Sequence, residues 1–315
     1  MIDIKLLEQL CLCNGISGDE GNVRNLIINE IKDCADDIKT DNLGNLIVFK
    51  KGKKSAKSKL MVSAHMDEVG LMVTDITSDG YLKFDEVGGI DRRVLPGKRV
   101  CIGRNGLNGV IGVKPIHLTN GDEKTAVPKM NDMYIDIGAE SREDALKYVN
   151  YGDGINFEGD FKINGKTVVT KALDDRFGCY VLINLIKSEP EYDMYFTFVV
   201  QEEVGLRGAR PAAFTVNPDF ALVIESTTAA DVAEVDASHQ VCNLSKGATV
   251  TVMDRATVYD KEMISAAFEL AEKNNIAVQY KRAVAGGNDS GAIHQSRGGV
   301  RTLAVSLPSR YIHAP

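Results

Sequence analysis

The stretch Tyr195-Phe196-Thr197-Phe198-Val199-Val200-Gln201-Glu202-Glu203 runs from one of the most apolar segments of the chain straight into two carboxylates. Its aromatic and β-branched residues predict a strand buried on both faces. Adjacent carboxylates directly after such a strand are unfavourable unless paired or metal-bound. The pattern recurs nearby: Phe220-Ala221-Leu222-Val223-Ile224 ends at Glu225, and the apolar run 59–64 ends at His65-Met66-Asp67. Helical periodicity alternates with these segments, predicting a helix over 175–187, strands over 194–200, 219–224 and 248–253, a helix over 260–274 and a strand over 300–306. Such alternation indicates a layered α/β domain with a mixed sheet. Ligands in open α/β sheets collect at the carboxyl ends of the strands, where these polar residues stand.

Towards the N-terminus, Leu6, Leu7 and Leu10 mark one face of a helix over 3–13. A second helix is expected from Ser17 to about Asp33, opened by the capping-box pair Ser17 and Glu20. Strands over Asp37–Thr40 and 45–50 flank the turn Asn42-Leu43-Gly44. Residues 70 to about 160 differ, with short alternating segments (71–73, Arg99–Ile102, 110–113, 133–137) punctuated by glycines. They predict a small β-rich module of barrel or PDZ-like type. The domains expected are therefore a discontinuous α/β one, 1–69 with 161–315, and an inserted one, 70–160. No internal repeat or low-complexity tract is evident.

With 315 residues and 44% hydrophobic content, the chain can bury a real core. Its net charge of -7 argues against nucleic-acid or anionic-membrane partners, which need a dominant basic surface. The one basic run, 50–59, reads as a solvated loop. No signal-peptide pattern and no apolar stretch approaching the roughly 20 residues of a membrane span are present, so a cytoplasmic protein is expected. Six cysteines without CxxC spacing fit reduced thiols.

Taken singly, each polar cluster has a plainer reading. His65 is also readable as a hydrogen-bonded core histidine, the commoner use of a buried imidazole. Asp174-Asp175, opening a helix, reads as an N-cap, although that explains one aspartate better than two. Together, His65, Asp174, Glu203, Glu225 and His313 offer two imidazoles and three carboxylates, a mixed set that suits Zn, Co or Mn rather than Ca or Mg. One shared carboxylate would make a two-metal site, with Glu202 left over to face a bound water.

In their order, His65-x-Asp67, Leu173-Asp174-Asp175-Arg176-x-Gly178-Cys179, Glu202-Glu203-Val204-Gly205-x-Arg207-Gly208-Ala209, Gly286-Gly287-x-Asp289 and Arg310-Tyr311-x-His313 resemble the M42 metallo-aminopeptidases of glutamyl and tetrahedral type. The likeness covers nearly the whole chain, and 109–118 with 135–139 look like that family's dimerisation domain. The resemblance implies a hydrolase that removes residues from the free N-terminus of peptides, using two divalent ions, Zn or Co and otherwise Mn. It implies His65 and Glu225 at one ion, Glu203 and His313 at the other, and Asp174 bridging. Glu202 would be the general base and Asp67 the residue that steers His65. It further implies a cis Asp174-Asp175 peptide and a hollow dodecamer built from dimers.

Three departures stand out. Glu225 occupies a position where the family usually has Asp, so the ligand reaches one methylene further. Asn288 stands where threonine is commoner, and the segment after Glu225 lacks the usual proline. Family members continue past the Arg-Tyr-x-His motif, whereas this sequence stops at Pro315, so a terminal helix is either omitted or lacking. Two rival readings remain: a glycoside hydrolase, since paired carboxylates also cleave sugars, and a non-catalytic metal-binding scaffold. The absence of Trp and an aromatic content of 6% weigh against the first. Glu202 beside Glu203 weighs against the second, because a structural site has no use for an extra carboxylate.

Overall fold

The computed structural model describes residues 3–314. It divides into two compact units, one formed by the chain up to Asp67 with Ala172–Ile312, the other by Glu68–Lys171 with the chain end from His313.

The first unit is built on an eight-stranded mixed sheet in the order Asp37–Thr40, Leu46–Lys50, Met194–Val199, Leu60–His65, Phe220–Thr228, Arg301–Ser309, Ala248–Val250, Val278–Tyr280. The four strands from Met194–Val199 to Arg301–Ser309 run parallel, and antiparallel pairs flank them. Val199 stands opposite His65 and Phe220 opposite Leu60, so two parallel strands end level with each other, and Glu225 of the longer strand Phe220–Thr228 comes to the same height. The helix Leu173–Lys187 lays Cys179, Leu182, Ile183 and Ile186 against Leu60–His65 and Phe220–Thr228. Behind it packs the N-terminal helix Ile4–Leu12, through Leu6, Leu7 and Leu10. Sandwiched between helices, these strands carry apolar residues on both faces, which explains their unbroken hydrophobic runs.

Some elements differ from expectation. The strand predicted over 219–224 continues to Thr228, so Glu225 lies within it rather than at its end. The helix Ala209–Val216 escaped prediction because Pro211 reads as a breaker. Proline is tolerated there, in the first turn, where a backbone N–H has no intrahelical acceptor to lose. The second helix starts at Gly21, not Ser17, and no side chain caps it. Ser17 and Glu20 form no capping box.

The second unit is a closed barrel of six strands: Gly70–Ile76, Leu82–Val87, Met133–Asp136, Leu107–Val113, Arg99–Ile102 and Gly154–Phe157. Leu71, Val73, Phe84, Val100, Ile111, Ile135, Ile155 and Phe157 fill its interior. Leu82–Val87 shows the pattern plainly, with Leu82 and Phe84 buried and Asp85 exposed. Ile116, Leu118 and Val127 remain exposed on this unit.

Candidate metal centre

His65 is the last residue of its strand and is 1% exposed. Its Nδ1 lies 3.0 Å from the Asp67 carbonyl oxygen. That contact leaves Nε2 aimed at carboxylates, at 3.3 Å from Asp174 Oδ1, 3.3 Å from Glu225 Oε1 and 4.0 Å from Glu202 Oε2. Ligand atoms of His65, Asp174 and Glu225 all lie within 4.8 Å of one another, and so do those of His65, Glu202 and Glu203. Three chain segments meet here because the parallel register brings His65, Glu225 and the residues after Val199 to the same edge.

The acids are crowded where little water reaches, Glu225 buried and Asp174 and Glu202 largely so. Burial, with Asp174 alongside, pushes Glu225 up to about 8 although His65 opposes the shift. Burial also lifts Glu202 well above the carboxylate range, with His65 opposing and Glu225, Asp289 and Glu203 adding. For His65 the order reverses: burial disfavours the cation, yet Glu225, Asp174 and Asp67 outweigh it and hold the imidazole well above its ordinary value. Glu225 Oε2 is buried and finds no hydrogen-bond partner among the described residues. Like charges packed this closely stay ionised only beside a cation. An imidazole nitrogen with several carboxylates, one oxygen of them unsatisfied, fits a divalent ion such as zinc.

Asp67 behaves differently. It is fully buried. Its Oδ1 accepts from the Glu202 amide at 3.0 Å, and its Oδ2 accepts from the Ser17 hydroxyl at 2.6 Å and the Glu203 amide at 3.1 Å. Burial alone would raise it, but the bonds from His65, Ser17 and Glu202 leave it below its usual value. An ionised Asp67 thus joins the His65 turn to the loop that carries Glu202 and Glu203.

The two aspartates of the helix start have separate tasks. Their peptide bond is cis, and neither has helical dihedrals. Asp174 faces His65, while Asp175 is fully buried and accepts from the His65 amide at 3.3 Å and the Gly178 amide at 3.0 Å. A Cβ at Gly178 would come within 2.3 Å of the Asp175 carboxylate, so glycine is required there. Arg176, also fully buried, donates to the carbonyls of Met66 at 2.8 Å, Leu10 at 2.7 Å, Cys13 at 2.6 Å and Gly15 at 3.1 Å. The Cys179 thiol donates to the His65 carbonyl at 3.1 Å. One helical turn therefore grips the backbone of His65 and Met66 from both sides.

His65, Asp67, Asp174, Glu202, Glu203 and Glu225, all expected from the sequence, come together in the first unit. His313 lies beyond the strand Arg301–Ser309 and groups with the second unit. Asp175, Arg176 and Asp289 were not assigned roles at the site, and Ser17 and Glu20 were read only as a capping box. Arg176 could have been found, since it shares the buried helical stripe of Cys179 and Ile183, a place where a lone arginine needs partners. Asp289 is fully buried, pushed up to about 7 by burial, Asp67 and Glu203, and neither of its oxygens has a hydrogen-bond partner among the described residues.

The chain is similar to known proteins over most of its length. A family model described as M42 glutamyl aminopeptidase matches residues 44–315. A putative aminopeptidase of Acetivibrio thermocellus is 44% identical over 312 residues, covering 98% of this chain and 91% of its own. A solved TET1 peptidase of Pyrococcus horikoshii, which can assemble into a tetrahedron or a large octahedral shell, is 40% identical with a TM-score of 0.86, covering 99% of this chain and 92% of that one. A Thermotoga maritima protein described as an endoglucanase is 38% identical with a TM-score of 0.81, covering 98% and 89%.

Replacing Arg176 with Met keeps an unbranched apolar stem but leaves the buried carbonyls of Leu10, Gly15 and Met66, and the half-buried one of Cys13, short of a donor. At about 1–3 kcal/mol for each buried group left unsatisfied, Arg176→Met is expected to lower stability by several kcal/mol. Thermal unfolding in the presence of a chelator measures this apart from metal binding. An unchanged midpoint contradicts the assigned role.

Proposed function

Because the chain belongs to the M42 glutamyl aminopeptidase family and is a metal-dependent peptide hydrolase, we propose that it removes the N-terminal residue of peptides at a two-metal centre. The observation that carries this reading is the pair of carboxylate oxygens, from Asp174 and Glu225, at 3.3 Å from one nitrogen of a buried histidine. His65 and Glu225 hold one ion, Glu203 and His313 the other, and Asp174 is shared. Zinc or cobalt is the ion proposed, manganese the third candidate. When bound, such ions polarise the scissile carbonyl and acidify water.

Within this scheme Glu202 is the general base. Its carboxylate stands beside that of Glu203 and 4.0 Å from His65 Nε2, a place from which it can take a proton from water and return it to the leaving amine. Asp67 fixes the ring of His65 and, through the amides of Glu202 and Glu203, the direction of that loop. The substrate's free α-amine is held by a ligand carboxylate, which confines cleavage to the chain end. The word endoglucanase appears in the descriptions of two solved relatives, but a chain with no Trp and 6% aromatic residues gives little support to a site that stacks on sugars.

Residues 1–69 with 161–315 form the catalytic domain in this reading, and 70–160 the module through which copies pair. The exposed Ile116, Leu118 and Val127 support the second assignment. Dimers then build a dodecamer, in line with the tetrahedral shell of the Pyrococcus horikoshii relative. Among the described residues no helix is long and apolar enough to cross a membrane; a cytoplasmic location is proposed from the six cysteines without CxxC spacing, which fit a reducing compartment.

Two measurements check this account. Glu202→Gln should lower kcat by about 10²–10⁴-fold, the usual contribution of a general base, with bound metal per chain unchanged, whereas Glu203→Gln should lose metal along with activity. The opposite pattern would exchange the two roles, and near-normal kcat in Glu202→Gln would remove the mechanism. Sedimentation should show a dodecamer or its dimers, and a monomer at micromolar concentration would contradict the assembly.

A further inference from the structure

Ser17 and Glu20 have the spacing of a capping box, yet neither caps the helix that follows them. Both are 4% exposed; Glu20 turns to the candidate catalytic loop and Ser17 to Asp67, which itself accepts from that loop's amides. The Ser17 hydroxyl donates to Asp67 Oδ2 at 2.6 Å. Glu20 Oε1 accepts from the Gly18 amide at 2.7 Å and from the Gln201 amide at 3.1 Å. Gln201 immediately precedes Glu202 and has a φ of 56°, a left-handed conformation that side chains other than glycine's adopt only at some energetic expense. The loop bonds to itself through the carbonyls of Val200, Gln201 and Glu202, and the Gln201 amide turns instead to Glu20. On its far side Asn45 holds the loop, its Oδ1 accepting from the Val200 amide at 2.9 Å and its Nδ2 donating to the Gly208 carbonyl at 2.9 Å. A helix cap is given up; Glu20 holds the loop directly, and Ser17 holds it through Asp67.

We infer that Ser17 and Glu20 are positioning residues of the catalytic site, Glu20 by holding Gln201 in the left-handed turn that aims Glu202 and Ser17 by fixing the carboxylate of Asp67. Both lie before residue 44, where the family match begins. The inference rests on the reading of Glu202 as general base, and it makes the N-terminal segment a part of the active site. Gly18, with a φ of 89°, supplies the tight turn between the two residues.

The test uses the full-length, metal-loaded enzyme. Glu20→Ala is expected to lower kcat by about 10–100-fold, the range usual for residues that orient a metal site from behind, with KM and bound metal close to wild type. Glu20→Gln, which keeps an oxygen acceptor at the same place, recovers most of that loss. Ser17→Ala alone loses less, because two amide donors stay on Asp67. Amide exchange in the metal-free protein gives the independent readout: peptides containing Gln201 and Glu202 exchange faster in Glu20→Ala than in wild type. Unchanged kcat and unchanged exchange in Glu20→Ala overturn the inference, as does a lower melting temperature with normal kcat per folded enzyme. If the wild-type protein hydrolyses no peptide, the functional reading falls, and exchange at Gln201 still decides whether Glu20 holds the loop.

Discussion

Asp174 and Glu225 each bring a carboxylate oxygen to 3.3 Å from the same nitrogen of a histidine that is 1% exposed. Without a cation this arrangement is poor electrostatics, since burial and mutual repulsion drive protons onto groups that are ordinarily ionised. Much of the surrounding structure can be understood as the means of keeping it in place. The parallel register brings three strands to one edge, and the ordered pair Asp175 and Arg176 then takes hold of the backbone at that edge.

The grip is made of bonds to main-chain atoms. Asp175 receives the His65 amide, Cys179 donates to the His65 carbonyl and Arg176 to that of Met66, while the Met66 amide donates to Val199. Main-chain bonds fix a ligand's direction without competing for its side chain, which stays available for an ion. The buried guanidinium of Arg176 also collects three carbonyls from the N-terminal segment, so the helix Ile4–Leu12 is tied to the same point.

The fold was legible in the sequence where a single physical rule governed. Unbroken apolar runs marked the central strands, and the carboxylates or imidazole following them marked His65, Glu202, Glu203 and Glu225, while Asp174 stood out as one of two adjacent acids opening a helix. It was not legible where two rules competed. Pro211 masked a helix whose first turn tolerates it, and Ser17 with Glu20 imitated a cap while serving the loop at Gln201. Glu225 looked like a strand end because its charge broke the apolar pattern, although pairing with Ser306 carries the strand past it. The roles of Asp175 and Arg176 depend on backbone partners more than a hundred residues away in sequence, which no local pattern encodes.

Whether a divalent ion occupies the acidic cluster is tested most directly by diffraction from cobalt-loaded crystals on both sides of the cobalt absorption edge. The account predicts an anomalous peak at about 2.0–2.2 Å, ordinary coordination distance, from His65 Nε2 and from carboxylate oxygens of Asp174 and Glu225. Cobalt-dependent peptide hydrolysis by protein whose crystals show no peak among these three residues would contradict it.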